Sequence, residues 1–597
     1  MKKCFHILWI LNSVFFFSCN SSYNKVEEES LIAKRDSGLI ADSGMVVCAH
    51  IEASKVGVAI LKKGGNAVDA AVAVQFALAV VFPAAGNIGG GGFMVLRLNN
   101  GEINSLDFRE KAPMKASRDM YLDKNGNVIA NMSGEGLLSA GVSGSVDGMI
   151  RAHEKYGKLP WKELVQPAID LAEKGFQITE SQAKDFNISK EIFLKKNDSL
   201  YSLPLVKGDR GDWSVGDTLI QKELAETLKR IRDKGREGFY SRKTAKNIVK
   251  EMKRAGGIIS YEDLKNYKSV WRKPIVGYYN SPSLLGRDGV GSYRIISMPP
   301  PSSGGIALMQ LLNMVENYSL KECGYNKEKT VHLMAEAEKR VYADRAEYLG
   351  DPDFYPVPVT QLLDSNYLVS RMKDFSFEAA TDCKKIRSGL CTPSPSERAG
   401  VRQEKEETTH FSIIDKWYNA VSVTTTLNGA YGSGVFVPGS GFLLNNEMDD
   451  FSSKPGVPNM FGLIGSEANT IAPGKRMLSS MTPTIIEKDG KLFMVAGTPG
   501  GSTIITTVFQ TILNVLEHDM TMNEAVNAKR FHYQWKPDTI YMEKDAMDSL
   551  TVSDLNKKKH HVVERASIGR ADCILLLPNG KMEGGADKRG DDIAVGY

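Results

Sequence analysis

At 597 residues, 42% hydrophobic and 24% charged, the chain has the composition of a folded globular protein with material for more than one core. Its 75 basic residues nearly balance 71 acidic ones, giving a formal net charge of +4 and no electrostatic basis for binding nucleic acid or an anionic membrane surface. Seven scattered cysteines do not make a disulfide-built scaffold.

In chain order, Lys2 and Lys3 precede an apolar run, Phe5–Phe17, that is too short to span a bilayer and ends at Ser18-Cys19. This reads as a signal peptide over residues 1–18. The junction resembles a bacterial lipobox, so lipidation of Cys19 is expected, with ordinary cleavage and free secretion as the alternative. A polar tether over 19–43 follows. The mature protein is then exported to the bacterial periplasm or cell envelope, touching the membrane only through a lipid anchor at Cys19.

From Gly44 a β-type run, GMVVCAH, leads into a helix starting near Glu52, and AVDAAVAVQFALAVVFP reads as a buried helix because Asp69, Gln75 and Pro83 interrupt it. The glycine-rich GNIGGGGFM precedes a strand, VLRL, a turn at NNGE and INSLDFRE. WKELVQPAIDLAEKG and SRKTAKNIVKEMKRAGG are helices stopped by glycine. MPPPSSGG opens another helix, and 330–349 is a long one. From about Ser376 the periodicity dissolves, and 376–407 reads as a flexible, exposed segment. Cys383 and Cys391 are close enough for a local bridge. After Thr408 the pattern changes to short strands and hairpins: FSIID, the turn KWYN, AVSVTTTLN and PTIIEKDGKLFMVAG.

Several chemistries find no support. The nine histidines form no HExxH and no zinc spacing, so no metal site is expected, and His560-His561 within KKKHH reads as a solvated turn. There is no GxSxG elbow, and GNIGGGGFM fits neither a P-loop nor the dinucleotide fingerprint.

The seam Glu407-Thr408-Thr409-His410 joins an acidic linker to a buried strand. Folding 409–415 back on 420–428 brings Thr426 and Asn428 within one residue of Thr408. An internal threonine is a poor nucleophile, whereas an N-terminal one carries an amine of pKa about 7.7–8 that serves as its own base. A plain loop-to-strand boundary explains the same stretch taken alone.

The wider chain is similar to the γ-glutamyltranspeptidase family of N-terminal nucleophile hydrolases, on KKGGNAVDAAVAV, GNIGGGGFM, LDFREKAP, MPPPSSGG, YADRAEYLGDPDF, TTHFSIID, TTTLN, NNEMDDFSSKPGVPN, LSSMTPTI and GTPGGSTIITT. The resemblance implies an α+β fold, a four-layer αββα sandwich of two stacked, mainly antiparallel sheets flanked by helices. It implies self-cleavage between Glu407 and Thr408 into a large subunit (44–407) and a small catalytic one (408–597) that stay together as a heterodimer. Thr408 is then the nucleophile and Thr426 its support; Gly500 and Gly501 form the oxyanion hole. Arg109, Ser479 and Ser480 take the substrate α-carboxylate, and Asn428, Glu447 and Asp450 the α-ammonium. Donors are glutathione and other γ-glutamyl compounds, acceptors are water, amino acids or dipeptides, and no cofactor is needed. Glu447 stands where many bacterial relatives have glutamine, and Phe461 where several have a lid tyrosine. A cephalosporin or glutaryl acylase on the same scaffold and a non-catalytic γ-glutamyl peptide-binding lipoprotein are the alternatives.

Overall fold

Strands that alternate between a covered and a doubly buried face need layers on both sides, and two such sheets meet here. The computed structural model describes residues 36–198, 202–208, 211–280, 292–386 and 406–597, and residues 37–597 form one unit. The signal peptide, Cys19 and Cys391, with its conjectured bridge to Cys383, lie outside the described residues.

One seven-stranded sheet runs in the order Ile593–Gly596, Met45–Cys48, Glu406–Ile414, Ala420–Gly429, Gly91–Arg97, Ile103–Asp107 and Val270–Arg272. The second has seven strands, Leu39–Ala41, Met582–Ala586, Asp572–Leu576, Lys491–Ala496, Thr484–Lys488, Tyr293–Ser297 and Ile275–Tyr279. Every pairing within both is antiparallel. Between the sheets lies an apolar layer that includes Met45, Val47, Phe93, Val95, Ile296, Ile485 and Val495.

Helices cover both outer faces. On the first sheet lies Ala67–Val81, started by a reciprocal Asn66/Asp69 capping box and buried along its whole length. Against the second sheet pack Gly304–Val315, Glu328–Tyr348 and Ile504–Leu516, the last following the Gly500-Gly501 turn directly. The order helix, sheet, sheet, helix is the four-layer αββα sandwich expected.

The helices expected near Glu52 and over 330–349 run Ile51–Lys62 and Glu328–Tyr348. Residues 376–386 form neither helix nor strand, yet Cys383 and Ile386 are buried and the Trp535 indole donates to the Cys383 carbonyl at 3.3 Å. His560 differs from its expected solvated setting. It is 5% exposed and hydrogen-bonded through Nε2 to His332 Nδ1 at 2.7 Å, while His561 remains outside. The KKKHH stretch closes on the long helix, and charge density alone does not mark which member of such a run turns inward.

Candidate active site

Thr408 enters the sheet three residues into the strand Glu406–Ile414 and lies directly opposite Thr426. Their register shifts between Glu406 and Thr408, with Asn428 at φ +82° in the neighbouring strand. Asparagine tolerates that left-handed backbone, so the irregularity falls on the residue best suited to it.

The hydroxyls of Thr408 and Thr426 are 3.1 Å apart. Thr426 Oγ1 donates to the Glu407 carbonyl at 3.2 Å and accepts from the Asn428 backbone N–H at 2.8 Å. A hydroxyl has one hydrogen, and that of Thr426 is on the Glu407 carbonyl, so the Thr408 hydroxyl donates to Thr426. Thr408 is thereby aimed beside the peptide carbonyl that precedes it, and that carbonyl is polarised by a neighbour fixed in turn by a backbone amide.

Around Thr408, one small pocket of about 20 Å³ gathers Arg109, Thr426, Asn428, Glu447, Asp450, Phe461, Ser479, Ser480 and Gly501. Every binding residue singled out from the sequence therefore lines the same space. Arg109 follows the strand Ile103–Asp107 and is fully buried; its N–H donates to Asp107 Oδ1 at 3.0 Å. Its guanidinium hydrogen-bonds Glu447 through Nη1 and Asp450 Oδ2 through Nη2, the latter at 2.5 Å. Glu447 and Asp450 project from a single 3-10 turn, Glu447–Asp450. Asn428 Nδ2 donates to the Asn446 carbonyl at 3.1 Å, which ties the polar end of one strand to the start of that turn.

A third acid, Glu110, lies 3.7 Å from Arg109 Nη1, is fully buried, and makes no side-chain hydrogen bond among the described residues. Glu447 Oε2 likewise has none. Three buried carboxyls thus face one guanidinium. Burial is the main cause that lifts all three above the usual carboxylate range, only partly offset by Arg109, and Glu110 rises to about 7. Arg109 stays charged because Glu447, Asp450 and Glu110 outweigh the effect of its own burial. The pocket holds three carboxyls against one guanidinium, and an added cation would favour their ionised forms.

Sequence reasoning passed over Glu110, although it lies in LDFREKAP, and Arg345 of YADRAEYLGDPDF. The Arg345 guanidinium, on the long helix Glu328–Tyr348, donates from Nε to Ser303 Oγ at 3.0 Å and from Nη2 to Ser480 Oγ at 3.1 Å. Ser479 accepts from the Met481 N–H at 3.1 Å, so each serine hydroxyl is oriented by a fixed donor. The helix is buried on nearly all sides, so a helical period marks neither the burial of Arg345 nor the loop it reaches.

Gly500 and Gly501 form the turn after the strand Lys491–Ala496, with φ +133° and +51°. A Cβ on Gly500 would meet Thr503 Oγ1 at 2.5 Å. Only glycine fits that backbone and that space. Neither amide donates a hydrogen bond to a described residue. The pair flanks Thr408, Gly501 in the small pocket and Gly500 in a second, larger cavity.

A separate buried group, His332, Glu336 and His560, has potential metal-ligand atoms within 4.8 Å of one another. Its donors are engaged elsewhere. Glu336 pairs with Lys339 and Arg340, both at 2.7 Å, and His332 Nε2 donates to the Ser376 carbonyl at 2.8 Å. With that N–H committed, neutral His332 accepts from His560, so the cluster is a hydrogen-bonded tie.

Comparison with known proteins agrees with this geometry. The gamma-glutamyltranspeptidase family model matches residues 53–597. A glutathione hydrolase proenzyme of Escherichia coli (strain K12) is 44% identical over 558 residues, covering 93% of this chain and 92% of the relative. An acylase ACY 1 proenzyme of Pseudomonas sp. (strain V22) is 35% identical over 559 residues, covering 92% and 93%. A crystal structure of cephalosporin acylase from Bacillus halodurans superposes with a TM-score of 0.79 at 24% identity, covering 98% of this chain and 99% of that one, and shares the fold. With its matched span, its Thr408–Thr426 pair and its Arg109-centred pocket, the chain belongs to the gamma-glutamyltranspeptidase family.

Proposed function

We propose that this protein is a γ-glutamyltransferase and glutathione hydrolase that generates its own nucleophile. The observation that carries the reading is the hydrogen-bonded trio of Glu407 carbonyl, Thr426 and Thr408 at the mouth of a pocket whose buried acids outnumber its guanidinium. In the first turnover Thr408 Oγ attacks the Glu407 carbonyl carbon. The C–N bond breaks, leaving an ester and a free Thr408 amine; water then hydrolyses the ester to the Glu407 carboxylate and the Thr408 hydroxyl. The liberated amine serves as base in later cycles.

In those cycles Thr408 Oγ attacks the γ-carbonyl of a γ-glutamyl amide such as glutathione. The tetrahedral oxyanion is met by the Gly500 and Gly501 amides, the amine leaves with a proton, and a γ-glutamyl ester remains on Thr408. Water yields glutamate, and an amino acid or dipeptide yields a new γ-glutamyl amide. No step requires a cofactor.

Binding of the α-amino acid head is an exchange of ion pairs. Its carboxylate takes Arg109 with Ser479 and Ser480, while its ammonium takes Glu447 and Asp450 with Asn428, so each buried charge released from its partner gains a new one. A zwitterion makes this exchange without adding net charge to a buried site. A glutaryl group adds only an anion to three carboxyls, which disfavours the acylase alternative; a purely binding lipoprotein has no use for the threonine pair.

Wild-type protein should run as two fragments on a denaturing gel and hydrolyse a γ-glutamyl anilide. Thr408→Ala should stay full length and inactive. Cleavage and activity persisting in that variant would sink the reading. The Lys2-Lys3, apolar-run and Cys19 layout supports export and a lipid anchor. Cys19→Ala should move the protein from the membrane to the soluble envelope fraction, and an unchanged membrane fraction would exclude the anchor.

A further inference from the structure

An ammonium group only donates hydrogen bonds, and a carboxylate only accepts them. Asn428 carries a donor and an acceptor on one side chain, so the end of its amide that faces a ligand decides which of the two groups it can hold. Its neighbours fix that choice. Asn428 Nδ2 donates to the Asn446 carbonyl at 3.1 Å and to Met460 Sδ at 3.6 Å, the longer contact suiting the larger radius of sulfur. A carbonyl oxygen and a thioether sulfur carry no hydrogen, so both must be met by the amide nitrogen. Both Nδ2 hydrogens are thereby used, and no described residue donates to Oδ1. Asn428 lines the pocket around Thr408, and its backbone N–H is spent on Thr426 Oγ1 at 2.8 Å. Oδ1 is therefore the hydrogen-bonding atom that Asn428 keeps for a ligand, and it is an acceptor.

The two acceptors are held in different ways. Asn446 is tied by backbone and side chain: its N–H donates to the Leu427 carbonyl at 3.0 Å, its Oδ1 accepts from the Gly429 N–H at 3.0 Å, and its Nδ2 donates to the Gly134 carbonyl at 2.8 Å. Met460 is anchored through its backbone N–H, which donates to Asp449 Oδ2 at 2.9 Å, and Asp449 belongs to the same turn as Glu447 and Asp450. The Met460 side chain is half-buried and packs against the apolar cluster of the second sheet. Its methyl lies over Gly429, where an added Cβ would come 3.3 Å from Met460 Cε. The sulfur is thus placed by the turn that carries the acids, by an apolar cluster and by the glycine that follows Asn428.

The next residue leaves this task to the sulfur. Phe461 borders the same pocket but has no polar side-chain atom, and its carbonyl already accepts from Gln534 Nε2 at 3.2 Å. Its N–H donates to Asn459 Oδ1 at 3.1 Å. The acceptor that this loop offers Asn428 is the Met460 thioether.

We propose that Met460 is a positioning residue for the reaction, whose thioether holds the Asn428 amide with its carbonyl oxygen toward the substrate ammonium. Without the sulfur, one Nδ2 hydrogen faces hydrocarbon, a cost that the side chain avoids by turning out of place. Thr408 and the Gly500-Gly501 turn lie outside this link, so the effect falls on binding of the head rather than on the chemical step. The inference rests on the γ-glutamyl reading above and adds to it what fixes the ammonium seat.

The test measures steady-state hydrolysis of a γ-glutamyl anilide by wild type, Met460→Leu and Met460→Gln, each after self-cleavage. Leucine keeps most of the apolar volume and has no acceptor, whereas glutamine offers a carbonyl oxygen in place of the sulfur. Met460→Leu should raise KM about fivefold, the size of one net hydrogen bond, with kcat within about twofold of wild type. Met460→Gln should return KM to within about twofold of wild type, a rescue that a mere loss of packing would not give. A KM rise below about twofold in Met460→Leu, a fall in kcat without a rise in KM, or an equal KM rise in both variants overturns the proposal. If Met460→Leu does not fold or cleave itself, Met460→Gln decides: a KM within about twofold of wild type supports the acceptor role, and a larger rise overturns it. If neither variant folds, Met460 is a packing residue and the proposal falls. Wild-type activity separates the two readings. A wild type that cleaves the anilide, beside a Met460→Leu variant with unchanged KM, refutes only the role of Met460; a wild type that leaves the anilide intact refutes both.

Discussion

At the scale of single residues the site works by fixing hydroxyls with neighbours that have no freedom of their own. Thr426 is oriented by a backbone amide, and Ser480 by Arg345, whose guanidinium bridges Ser303 and Ser480. On the proposed function Arg345 is a positioning residue, since it would reach the substrate carboxylate only through Ser480. Its replacement by Met keeps much of the buried volume and removes both donors. A charge-assisted hydrogen bond contributes about 1.5–3 kcal/mol, so KM for a γ-glutamyl donor should rise roughly tenfold or more, with a smaller change in kcat. Lysine should restore little, because one ammonium cannot reproduce a fork held between two serines. Steady-state kinetics on the two variants checks this; an unchanged KM in Arg345→Met would remove Arg345 from the carboxylate site. The nearness of Thr426 to Thr408 was legible because strand register is a local property, whereas the roles of Thr408 and Arg109 came from the resemblance of their short motifs to a known family. Arg345 and Glu110 were not legible: Arg345 reaches Ser480, 135 residues away in sequence, and Glu110 faces the distant turn Glu447–Asp450, neither of which any periodicity links to them.

At the scale of elements, the long helix Glu328–Tyr348 ties the segment around residues 376–380 to the C-terminal part of the chain. His332 Nε2 donates to the Ser376 carbonyl and His332 Nδ1 accepts from His560, while the Ala380 N–H donates to the Lys558 carbonyl at 2.8 Å. Burial lowers the His560 pKa from 6.5 to about 3, and a second imidazole beside it disfavours the charged form further. The sign follows from proton binding. Between about pH 6.5 and 3 the unfolded chain binds a proton at His560 that the folded chain does not, so stability from this group is intact above 6.5 and falls as pH falls. From about pH 7.5 to about pH 5 the loss is roughly 2 kcal/mol. Glu110 and Asp592 act in the opposite direction, because their carboxyls stay protonated to about 7 when folded. Comparing His560→Gln with wild type removes these shared contributions: glutamine donates to His332 but does not titrate. The stability gap between the two proteins in urea should therefore shift by about 2 kcal/mol toward the variant on acidification. A gap independent of pH would mean that His560 is not buried as a neutral base. The alternation of strands and the amphipathic or wholly apolar helices were readable from the sequence; the inward turn of His560 was not, since a run of lysines and histidines carries the same composition whether one ring is tucked in or all are solvated.

At the scale of the whole molecule, the proposed cut at Glu407–Thr408 falls inside a sheet, and both sheets would be composites of the two products. In the first, the strand Glu406–Ile414 is hydrogen-bonded on one side to Met45–Cys48, from the large fragment, and on the other to Ala420–Gly429, from the small one. Ala420–Gly429 is in turn paired with Gly91–Arg97, and Met45–Cys48 with Ile593–Gly596 near the C-terminus. In the second sheet, Thr484–Lys488 is paired with Tyr293–Ser297, and Met582–Ala586 with Leu39–Ala41. The apolar layer between the sheets likewise mixes the two, with Met45, Val47 and Phe93 packed in one cluster with Ile485, Val495 and Ile574. Separating the fragments would break inter-strand ladders in both sheets and open the buried layer at once, so no low-energy surface exists along which the halves can part. Processed protein should therefore elute in native gel filtration as a single species at the mass of the uncut mature chain, although it runs as two bands on a denaturing gel. In urea, loss of sheet structure and separation of the fragments should share one midpoint. Dissociation at a lower denaturant concentration than the loss of strand signal would show that the fragments are independent domains, and would contradict the interleaved sheets.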